Sequence, residues 1–348
     1  MSNIFSNDRI AALRRLIGES RKIVTVIHVN PDGDAIGSSM AWQTFLKEQG
    51  RAITTIAPNL FPDFLKWIPN SETVMIYSIE RENCQKALQE ADLLFCLDFN
   101  NLSRLDAMGE FIATQNMAKV LIDHHTGTVE QDFDLCFSQT SASSTSEIVY
   151  RIIRSISGST RLSSPIAQAL YAGVMTDTGA FAHSTSAELF RLVADLMDSG
   201  INVQKIHAQV YNNFSENRMR LMAYCIYNKM EVLPERQTAI IHLSRRELER
   251  FKFEPGDTEG FVNIPLSIKD VILSVFFVES REGFIKISFR SIGDLSVDSM
   301  SRKYFNGGGH KNAAGGKLFV PMYKAITFFK SVLPEFIDRK INKVQYQK

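Results

Sequence analysis

Acidic side chains and histidines recur in the first half of this chain, each group at the end of an apolar run. They are His28, Asp32, Asp34, Asp98, Asp123, His124, His125 and Asp177. Like charges that lie close together raise each other's pKa unless cations stand among them. Carboxylate oxygens with one or two imidazoles favour Mn, Mg, Fe or Zn over a thiolate-bound metal. The residues therefore predict a metal centre, provided that the fold brings them together.

Strand and helix patterns alternate in a way that would bring these groups together. Apolar runs predict strands at residues 23–29, 52–57, 73–77, 92–98 and 120–123, and helical spacing occurs at residues 34–48, 82–90 and 102–111. This alternation indicates βαβ units and a mainly parallel sheet. In such sheets, ligands collect at the carboxyl ends of the strands. We expect the acidic groups and histidines to meet there.

The acidic residues also suit ordinary structural roles. The Asp32-Gly33 pair is a common turn, and Asp34 could cap the helix that follows. Asp98 and Asp177 could stand where a strand or a helix meets water. Adjacent histidines at 124 and 125 are harder to attribute to packing, because neutral imidazole is a common metal ligand. The joint occurrence of all four groups in this order favours the metal centre.

The number of charges favours two metal ions. Four carboxylates carry four negative charges, which two divalent cations would balance and one would not. These carboxylates belong to Asp32, Asp34, Asp98 and Asp177. Two ions roughly 3.5–4 Å apart activate a bridging water and clamp the attacking and leaving oxygens during displacement at phosphorus.

A glycine-rich segment, Gly307-Gly308-Gly309-His310, lies near the other end of the chain. Consecutive glycines let backbone N–H groups surround an anion, and His310 with Lys311 adds donors and positive charge. Arg290, Arg302 and Lys303 add further positive charge upstream. A lone glycine cluster is more often a flexible turn, but beside phosphate chemistry in the first half it predicts a phosphate site.

Length and pattern predict two domains joined by helices. At 348 residues the chain exceeds what one hydrophobic core usually serves. Helices are predicted at residues 143–156 and 165–175. Two or three more are predicted between residues 187 and 232. Strands return at 239–243, 271–278 and 284–289, the last two as a hairpin. We predict a parallel-sheet domain over residues 1–185, a helical linker over 186–234 and a smaller mixed α/β domain over 235–348.

Composition excludes several classes of protein. The chain has 45% hydrophobic and 22% charged residues, which is typical of a globular protein. Its net charge of +1 argues against coating long nucleic acid, because such binding scales with the phosphates neutralised. The four cysteines form no CxxC pair, which predicts buried thiols. No apolar run reaches the ~20 residues of a membrane span, and the first residues lack a secretory pattern, so we expect a cytoplasmic protein.

With these residues in this order, the chain resembles the DHH phosphoesterases, and among them the nanoRNase and 3'-phosphoadenosine 5'-phosphate phosphatase type. The shared motifs run from His28 to Ser38, at Asp98, at Asp123-His124-His125, from Thr176 to Gly179 and from Gly307 to His310. The resemblance covers nearly the whole chain. It implies an N-terminal DHH domain with a five-stranded parallel sheet and a smaller DHH-associated domain, with substrate in the cleft between them.

The resemblance also implies a role for each residue of the metal centre. Manganese is the usual activator of such enzymes. The implied ligands are His28 and Asp32 for one ion, Asp34, His124 and Asp177 for the other, and Asp98 as the bridge between them. The implied catalytic residues are Asp98, His124 and His125.

Substrate contacts are implied in the same way. His125 would contact the scissile phosphate or orient the site. Arg290 and His310 would grip a terminal phosphate together with Gly307, Gly308 and Gly309. Many relatives carry Arg in a Gly-x-Phe-Arg pattern, whereas this chain reads Ala182-His183 at that point.

The predicted function is that of a manganese-dependent phosphohydrolase. It would degrade oligoribonucleotides of two to four nucleotides to mononucleotides, or dephosphorylate 3'-phosphoadenosine 5'-phosphate. Cyclic di-AMP or its linear product pApA is an alternative substrate. Pyrophosphate or polyphosphate is a further possible substrate. The segment from Gly307 to His310 argues against it, because pyrophosphatases of the wider superfamily carry a different C-terminal domain. A non-catalytic nucleotide sensor is the third hypothesis, and the complete ligand set argues against it. The helical zone at 187–232 suits a hinge or a homodimer face equally.

Overall fold

The predicted parallel sheet occupies the N-terminal part of the chain. The structure, a computed structural model, describes residues 5–159 and 161–345, with side chains as far as residue 337. The chain divides into two units, one ending at Asn213 and the other beginning at Phe214, and each contains its own sheet. The α/β fold class is confirmed. The predicted boundaries of the two domains and the linker stay predictions.

Six strands form the sheet of the first unit. They are β1 (Ile23–Ile27), β2 (Ile53–Ala57), β3 (Met75–Ile76), β4 (Leu93–Leu97), β5 (Ala118–Asp123) and β6 (Leu135–Ser138). Their order is β3-β2-β1-β4-β5-β6, and every neighbouring pair is parallel. Every residue of the central strands β1 and β4 is buried, which is typical of strands covered on both faces.

Eight helices accompany this sheet. They are α1 (Asn7–Glu19), α2 (Gly33–Glu48), α3 (Arg81–Glu90), α4 (Ala107–Ala113), α5 (Thr145–Ser157), α6 (Ser164–Asp177), α7 (Ala187–Asp198) and α8 (Val203–Tyr211). One face of the sheet shares its core with α1, α2 and α5 to α8, and the other with α3 and α4. The carboxyl ends of the strands therefore stay at an edge that neither helical layer fills.

Two details differ from the sequence-based expectations. The resemblance implies five strands, and the structure has a sixth, β6, of whose four residues only Phe137 is buried. Its sequence, Leu135-Cys136-Phe137-Ser138, is largely apolar, but a run of four residues is too short to distinguish a strand from a loop. The helix predicted at 102–111 is divided into a 3₁₀ turn, Leu102–Leu105, and α4. Asp106 separates the two with a left-handed φ of 48°, a conformation that interrupts a helix.

The second unit is built on a mixed sheet. Its strands are β7 (Met230–Leu233), β8 (Thr238–Leu243), β9 (Leu273–Glu279), β10 (Ile285–Ser291), β11 (Gly308–His310) and β12 (Ala313–Leu318). Their order is β11-β12-β10-β9-β8-β7, in which only β8 and β9 pair in parallel. The predicted hairpin is formed by β9 and β10.

Four helices pack on this second sheet. They are α9 (Glu216–Tyr224), α10 (Arg245–Arg250), α11 (Val297–Tyr304) and α12 (Met322–Gln345). One face shares its core with α11 and α12, and the opposite face of β8 and β9 is covered by α9, α10 and a 3₁₀ segment, Phe261–Ser267. Within the described residues, no helix has both the length and the apolar character that a bilayer crossing requires.

Candidate metal centre

Asp32 and Asp34 flank the start of α2 and point in different directions. Asp32 is the N-cap residue, and its Oδ1 accepts hydrogen bonds from the backbone N–H groups of Asp34, at 3.0 Å, and Ala35, at 3.1 Å. The capping role suggested for Asp34 therefore belongs to Asp32. Asp34 lies in the first turn of the helix and is buried. The two carboxylates enter separate groups of side chains.

The first group contains His28, Asp32 and Asp98. His28 Nε2 lies 3.9 Å from Asp32 Oδ1 and 3.5 Å from Asp98 Oδ2. The other ring nitrogen of His28 is 2.9 Å from the Val29 carbonyl oxygen, to which it must donate. This fixes the proton on Nδ1 and leaves the Nε2 lone pair for a metal ion, as is usual for ligating histidines.

The second group contains Asp34, His124 and Asp177. His124 Nε2 lies 3.4 Å from Asp177 Oδ2 and 4.0 Å from Asp34 Oδ2. It also lies 3.6 Å from Asp98 Oδ1. The two oxygens of Asp98 thus face one group each, which is the arrangement that a bridging carboxylate requires.

Asp98 is held in this position by an unusual backbone conformation. Its φ is 66°, in the left-handed region, which costs a residue other than glycine about 1–3 kcal/mol and is often found at active sites. Its N–H still donates to the Ile122 carbonyl, at 3.0 Å, so the neighbouring strands stay paired up to this residue. The Thr145 hydroxyl donates to Asp98 Oδ1 at 2.9 Å.

The N-terminus of α5 holds Asp34. The backbone N–H groups of Thr145 and Ser146 donate to its two carboxylate oxygens at 2.6 and 2.9 Å. A helix N-terminus favours negative charge there. Sequence reasoning missed these residues. The signal was available, because Ser144 followed by Glu147 is typical of a helix start, and Ser144 does cap α5 by accepting from the Glu147 N–H at 3.1 Å.

Gly173 lets α6 approach this carboxylate closely. A Cβ at position 173 would lie 2.0 Å from Ser146 Oγ and 2.9 Å from Asp34 Oδ1. Asp177, one helical turn further along α6, is a member of the second group. The glycine therefore determines how near Asp177 comes to Asp34.

His125 is positioned by Asp123. Its Nδ1 lies 2.7 Å from Asp123 Oδ1, and Asp123 is fully buried. Burial alone would raise the pKa of Asp123, but the hydrogen bond and the charge of His125 lower it. An ionised Asp123 can only accept, so His125 carries its proton on Nδ1 and presents Nε2 elsewhere. Sequence reasoning gave Asp123 no role of its own, although it begins the Asp123-His124-His125 motif.

The electrostatics of the centre call for cations. Burial raises the pKa of Asp98 well above its usual range, and the charges of Asp34, Asp32 and Asp177 raise it further. Burial also raises the pKa of Asp34. For His124, burial lowers the pKa, but Asp177 and Asp34 outweigh it, so the net shift is upward. Burial and the neighbouring carboxylates thus destabilise the charge of Asp98 and Asp34.

The residues fit divalent metal ions. Ligands about 2.1 Å from one octahedral ion lie about 3 Å from each other, and the distances of 3.4–4.0 Å approach this value. Carboxylate and imidazole donors are also the set that Mg, Mn, Fe and Zn share. The donor set and the clustered negative charge together support the use of divalent metal.

The glycine-rich segment of the second unit is a hairpin rather than an open loop. Gly308–His310 forms β11, paired with β12. The Gly309 N–H donates to Asp298 at 2.7 Å, so a carboxylate already occupies one of the expected anion donors. A Cβ at Gly307 would lie 1.9 Å from the Gly315 carbonyl oxygen. Close packing thus requires this glycine, and the anion role of the segment stays a prediction.

The positive residues predicted around this hairpin differ in their surroundings. Arg302 pairs with Asp298, and Lys303 and Lys311 also have acidic partners, Glu335 and Asp294. Their positive charge is therefore partly neutralised. Arg290 lies on β10 directly opposite Ala313 of β12, and Ala313 also pairs with His310 of β11. The two predicted phosphate contacts, Arg290 and His310, therefore share one row across the sheet.

The segment in which relatives often carry Arg has a strained backbone. Gly179, Ala180 and Phe181 all have left-handed φ values, between 56° and 67°. This turn follows Asp177 and leads to His183, which is exposed.

Comparison with known proteins agrees with the fold. Residues 22–174 match the model of the DHH family, N-terminal domain, and residues 238–339 match the DHHA1 domain. The bifunctional oligoribonuclease and PAP phosphatase NrnA of Bacillus subtilis is 28% identical over 88% of this chain and 92% of its own length. A Streptococcus mutans protein named as a probable bifunctional oligoribonuclease and PAP phosphatase NrnA is 26% identical over 89% of this chain and 94% of its own length.

Solved structures give the same result. An exopolyphosphatase-related protein from Bacteroides fragilis is 40% identical, covers 97% of this chain and 99% of its own, and superposes with a TM-score of 0.91. RecJ of Thermus thermophilus, in complex with Mn²⁺, has a TM-score of 0.53 at 13% identity, which shows a shared fold alone. This chain covers 54% of that RecJ.

The chain belongs to the DHH family and carries a DHHA1 domain, as the resemblance predicted. It is therefore a hydrolase of phosphoester bonds that uses divalent metal. Its relatives in B. subtilis and S. mutans carry in their names the two activities that the resemblance implies.

Proposed function

We propose that this protein hydrolyses short oligoribonucleotides to mononucleotides and dephosphorylates 3'-phosphoadenosine 5'-phosphate. The observation that carries the proposal is the position of Asp98, whose two oxygens face two separate groups of potential ligands. Such an arrangement suits two ions, which phosphoester hydrolysis commonly uses. The relatives named oligoribonuclease and PAP phosphatase support the choice of substrate.

The proposed ligand assignment follows the two groups. His28 and Asp32 would hold one ion, and Asp34, His124 and Asp177 the other, with Asp98 shared. When bound, divalent ions would activate water and neutralise charge on the phosphoryl oxygens. We propose manganese, because it is the usual activator of the enzymes that this chain resembles and the donor set is compatible with it.

The residues around the ions have separate tasks. Asp123 keeps one proton of His125 on Nδ1. Nε2 would then accept a hydrogen bond from a water beside the scissile phosphate or, carrying a second proton, donate to a phosphate oxygen. The N-terminus of α5 holds both oxygens of Asp34, which prevents this ligand from turning when substrate binds. In the second unit, Arg290 and His310 would bind a phosphate that is not cleaved. An arginine suits this task because its planar donors match phosphate oxygens.

Cyclic di-AMP and its product pApA remain an alternative with the same catalytic residues. The name of the B. fragilis relative adds polyphosphate as a compound to be tested. The cysteines play no part in this chemistry. Burial raises the pKa of Cys84 to about 11 and of Cys225 to about 12, which makes these thiols poor nucleophiles.

The deciding experiment measures hydrolysis by the purified chain with and without Mn²⁺. The substrates are a 5'-phosphorylated RNA dinucleotide, 3'-phosphoadenosine 5'-phosphate, cyclic di-AMP, pyrophosphate and polyphosphate. We expect the first two to be preferred and chelation to abolish turnover. A preference for cyclic di-AMP or polyphosphate would overturn the substrate assignment while leaving the metal centre intact.

A pair of matched variants tests the site itself. Asp98→Asn keeps the size of the side chain and removes the bridging charge, so we expect turnover to fall by at least about a thousandfold. Asp198→Asn makes the same change at an exposed position at the end of α7 and should leave turnover unchanged. Near-normal activity of Asp98→Asn would refute the proposed centre.

A further inference from the structure

One half of the second sheet has an exposed face. Residues 285, 287, 289 and 291 of β10 are buried against the core formed with α11 and α12, so Lys286, Ser288 and Arg290 lie on the opposite face. Over β8 and β9 this opposite face is covered by a second apolar cluster. In the described part of the chain, that cluster includes no residue of β10 or β12.

Strand β12 continues this exposed face. Its residues Ala313, Gly315 and Lys317 lie directly opposite Arg290, Ser288 and Lys286. Gly315 and Lys317 are exposed. A Cβ at Gly315 would meet nothing nearer than a backbone oxygen at 3.8 Å. On this face the small residues Ser288 and Gly315 therefore lie between two positively charged rows. One row contains Arg290, and the other contains Lys286 and Lys317.

The two lysines of the second row form no ion pair among the described residues, although Glu259 is near enough to act on Lys286. Lys229, Lys303, Lys311 and Lys330 each pair with a carboxylate, whereas among the described residues Lys286 and Lys317 form no such ion pair. The pKa of Lys286 is lowered overall, because burial and the charge of Arg290 lower it more than Glu259 raises it. The Lys317 ammonium lies 5.9 Å from the centre of the Phe284 ring.

Two lysines directly opposite each other are unusual for a stable sheet. Like charges at facing positions of an antiparallel pair destabilise it. An anion bound between them would remove this repulsion. The two facing lysines are therefore better explained by a role in binding an anion than by a role in stabilising the sheet.

The distance between the two rows suits a chain of phosphates rather than a single one. Arg290 and Lys286 are four residues apart on one strand, which corresponds to about 14 Å at ~3.4 Å per residue. One phosphate bound at Arg290 leaves the lysine row available for the next. Positive rows that follow a backbone are how proteins bind single-stranded nucleic acid.

We propose that Lys286 and Lys317 bind a second phosphate of the oligonucleotide, next to the phosphate held by Arg290 and His310. This inference rests on the proposed function and adds a preference for chain length to it. 3'-Phosphoadenosine 5'-phosphate and a 5'-phosphorylated dinucleotide each carry one phosphate besides the one that is cleaved. A 5'-phosphorylated trinucleotide carries two, and only this substrate would use the lysine row.

The test compares Lys286→Gln/Lys317→Gln with the unchanged protein on trinucleotides with and without a 5'-phosphate. We expect the double variant to lose about tenfold in kcat/KM on the 5'-phosphorylated trinucleotide, mainly through KM, since one exposed charge contact is worth a factor of up to about five. Its kcat/KM on the phosphorylated dinucleotide and on 3'-phosphoadenosine 5'-phosphate should change less than twofold. A control, Lys269→Gln/Lys324→Gln, removes two exposed lysines of the same unit and should behave like the unchanged protein.

Three results would overturn the inference. They are an equal loss on all substrates, no loss on the trinucleotide, and the same loss in the control variant. If the unchanged protein hydrolyses none of these substrates, the proposed function fails, and equilibrium binding of the 5'-phosphorylated trinucleotide still decides the inference. Weaker binding by the double variant, with a slope against salt concentration smaller by about 1.4, supports it. Identical binding refutes it.

Discussion

The Thr145 hydroxyl offers a test of how the metal centre is supported from outside its ligands. Thr145→Val replaces the hydroxyl with a methyl group of nearly the same size. Only the hydrogen bond to Asp98 Oδ1, at 2.9 Å, is lost. The Thr145 backbone N–H still donates to Asp34, because valine has the same backbone. The variant therefore isolates one contact to the bridging carboxylate.

The size of the effect follows from burial. Thr145 is fully buried and Asp98 is 2% exposed, so no water replaces the lost donor. A hydrogen bond to a charged group contributes about 1.5–3 kcal/mol. At about 1.36 kcal/mol for each factor of ten, metal affinity should fall about 10- to 100-fold. Partners of metal ligands in other proteins have effects of this size.

The assay is a calorimetric titration of the metal-free protein with Mn²⁺, followed by turnover at saturating Mn²⁺. We expect Thr145→Val to bind Mn²⁺ more weakly and to recover most of its kcat when saturated. Thr145→Ser keeps the hydroxyl and should bind within about threefold of the unchanged protein. Circular dichroism verifies that both variants are folded. Unchanged Mn²⁺ affinity in Thr145→Val would refute the claim that this hydroxyl supports the bridge.

Three further predictions concern His125, metal loading and the second unit. Asp123→Asn should lower kcat about 100-fold, because Asn no longer fixes the proton of His125 on Nδ1, while calorimetry should show little change in Mn²⁺ affinity. Mn²⁺ at about 100 times its Kd should raise the free energy of unfolding by about 2.7 kcal/mol, and thermal melts should show that Asp98→Asn loses this gain. Hydrogen bonds from Lys229 and other donors overcome burial and lower the pKa of Glu247 from 4.5 to about 2. Because solvent screens this partly exposed carboxylate, Glu247→Gln should lower the free energy of unfolding at pH 7 by about 2 kcal/mol, less than the full pKa shift would give. Denaturant titrations should show this difference shrinking as pH falls from about 4.5 to about 2, because a lowered carboxyl pKa stabilises the folded protein only while the carboxylate is ionised.

Much of the first unit could be predicted from the sequence, because its strands are nearly continuous apolar runs. The five strands that begin at Ile23, Ile53, Met75, Leu93 and Ala118 lie within about two residues of their predicted starts. The sequence does not predict β6, because its apolar run of only four residues is too short to distinguish a strand from a loop. The predicted helix at 102–111 is interrupted because Asp106 has a left-handed φ. No glycine or proline stands at this position to indicate the interruption in the sequence.

The potential metal ligands of the candidate site could be predicted from the sequence, but the residues that hydrogen-bond to those ligands could not. Residue types such as those at Asp98 and His124 seldom recur at strand ends in this order for packing reasons alone. The contacts of Thr145 and Ser146 are made by a hydroxyl and two backbone N–H groups, and those to Asp34 span more than one hundred residues of sequence. Serine and threonine are too common before helices for their sequence to indicate which carboxylate they hold.

The hairpin at Gly307 shows a different limit. Its glycines predict donors for an anion, but the structure uses at least one of them to let two strands approach closely. Both needs select the same residue type. Composition alone therefore cannot distinguish a binding loop from a tightly packed hairpin.

Gly173 has a consequence for attempts to make this enzyme more heat-resistant. Replacing a glycine inside a helix by alanine is a standard stabilising change, worth about 1 kcal/mol. At this position the added methyl group would press on Ser146 and on the carboxylate of Asp34. A design scheme that ranks changes by helix preference would select Gly173→Ala early and would damage the catalytic centre with it. At Gly173 the gain expected from helix preference is thus lost to this steric clash, and the variant would be less stable as well as less active.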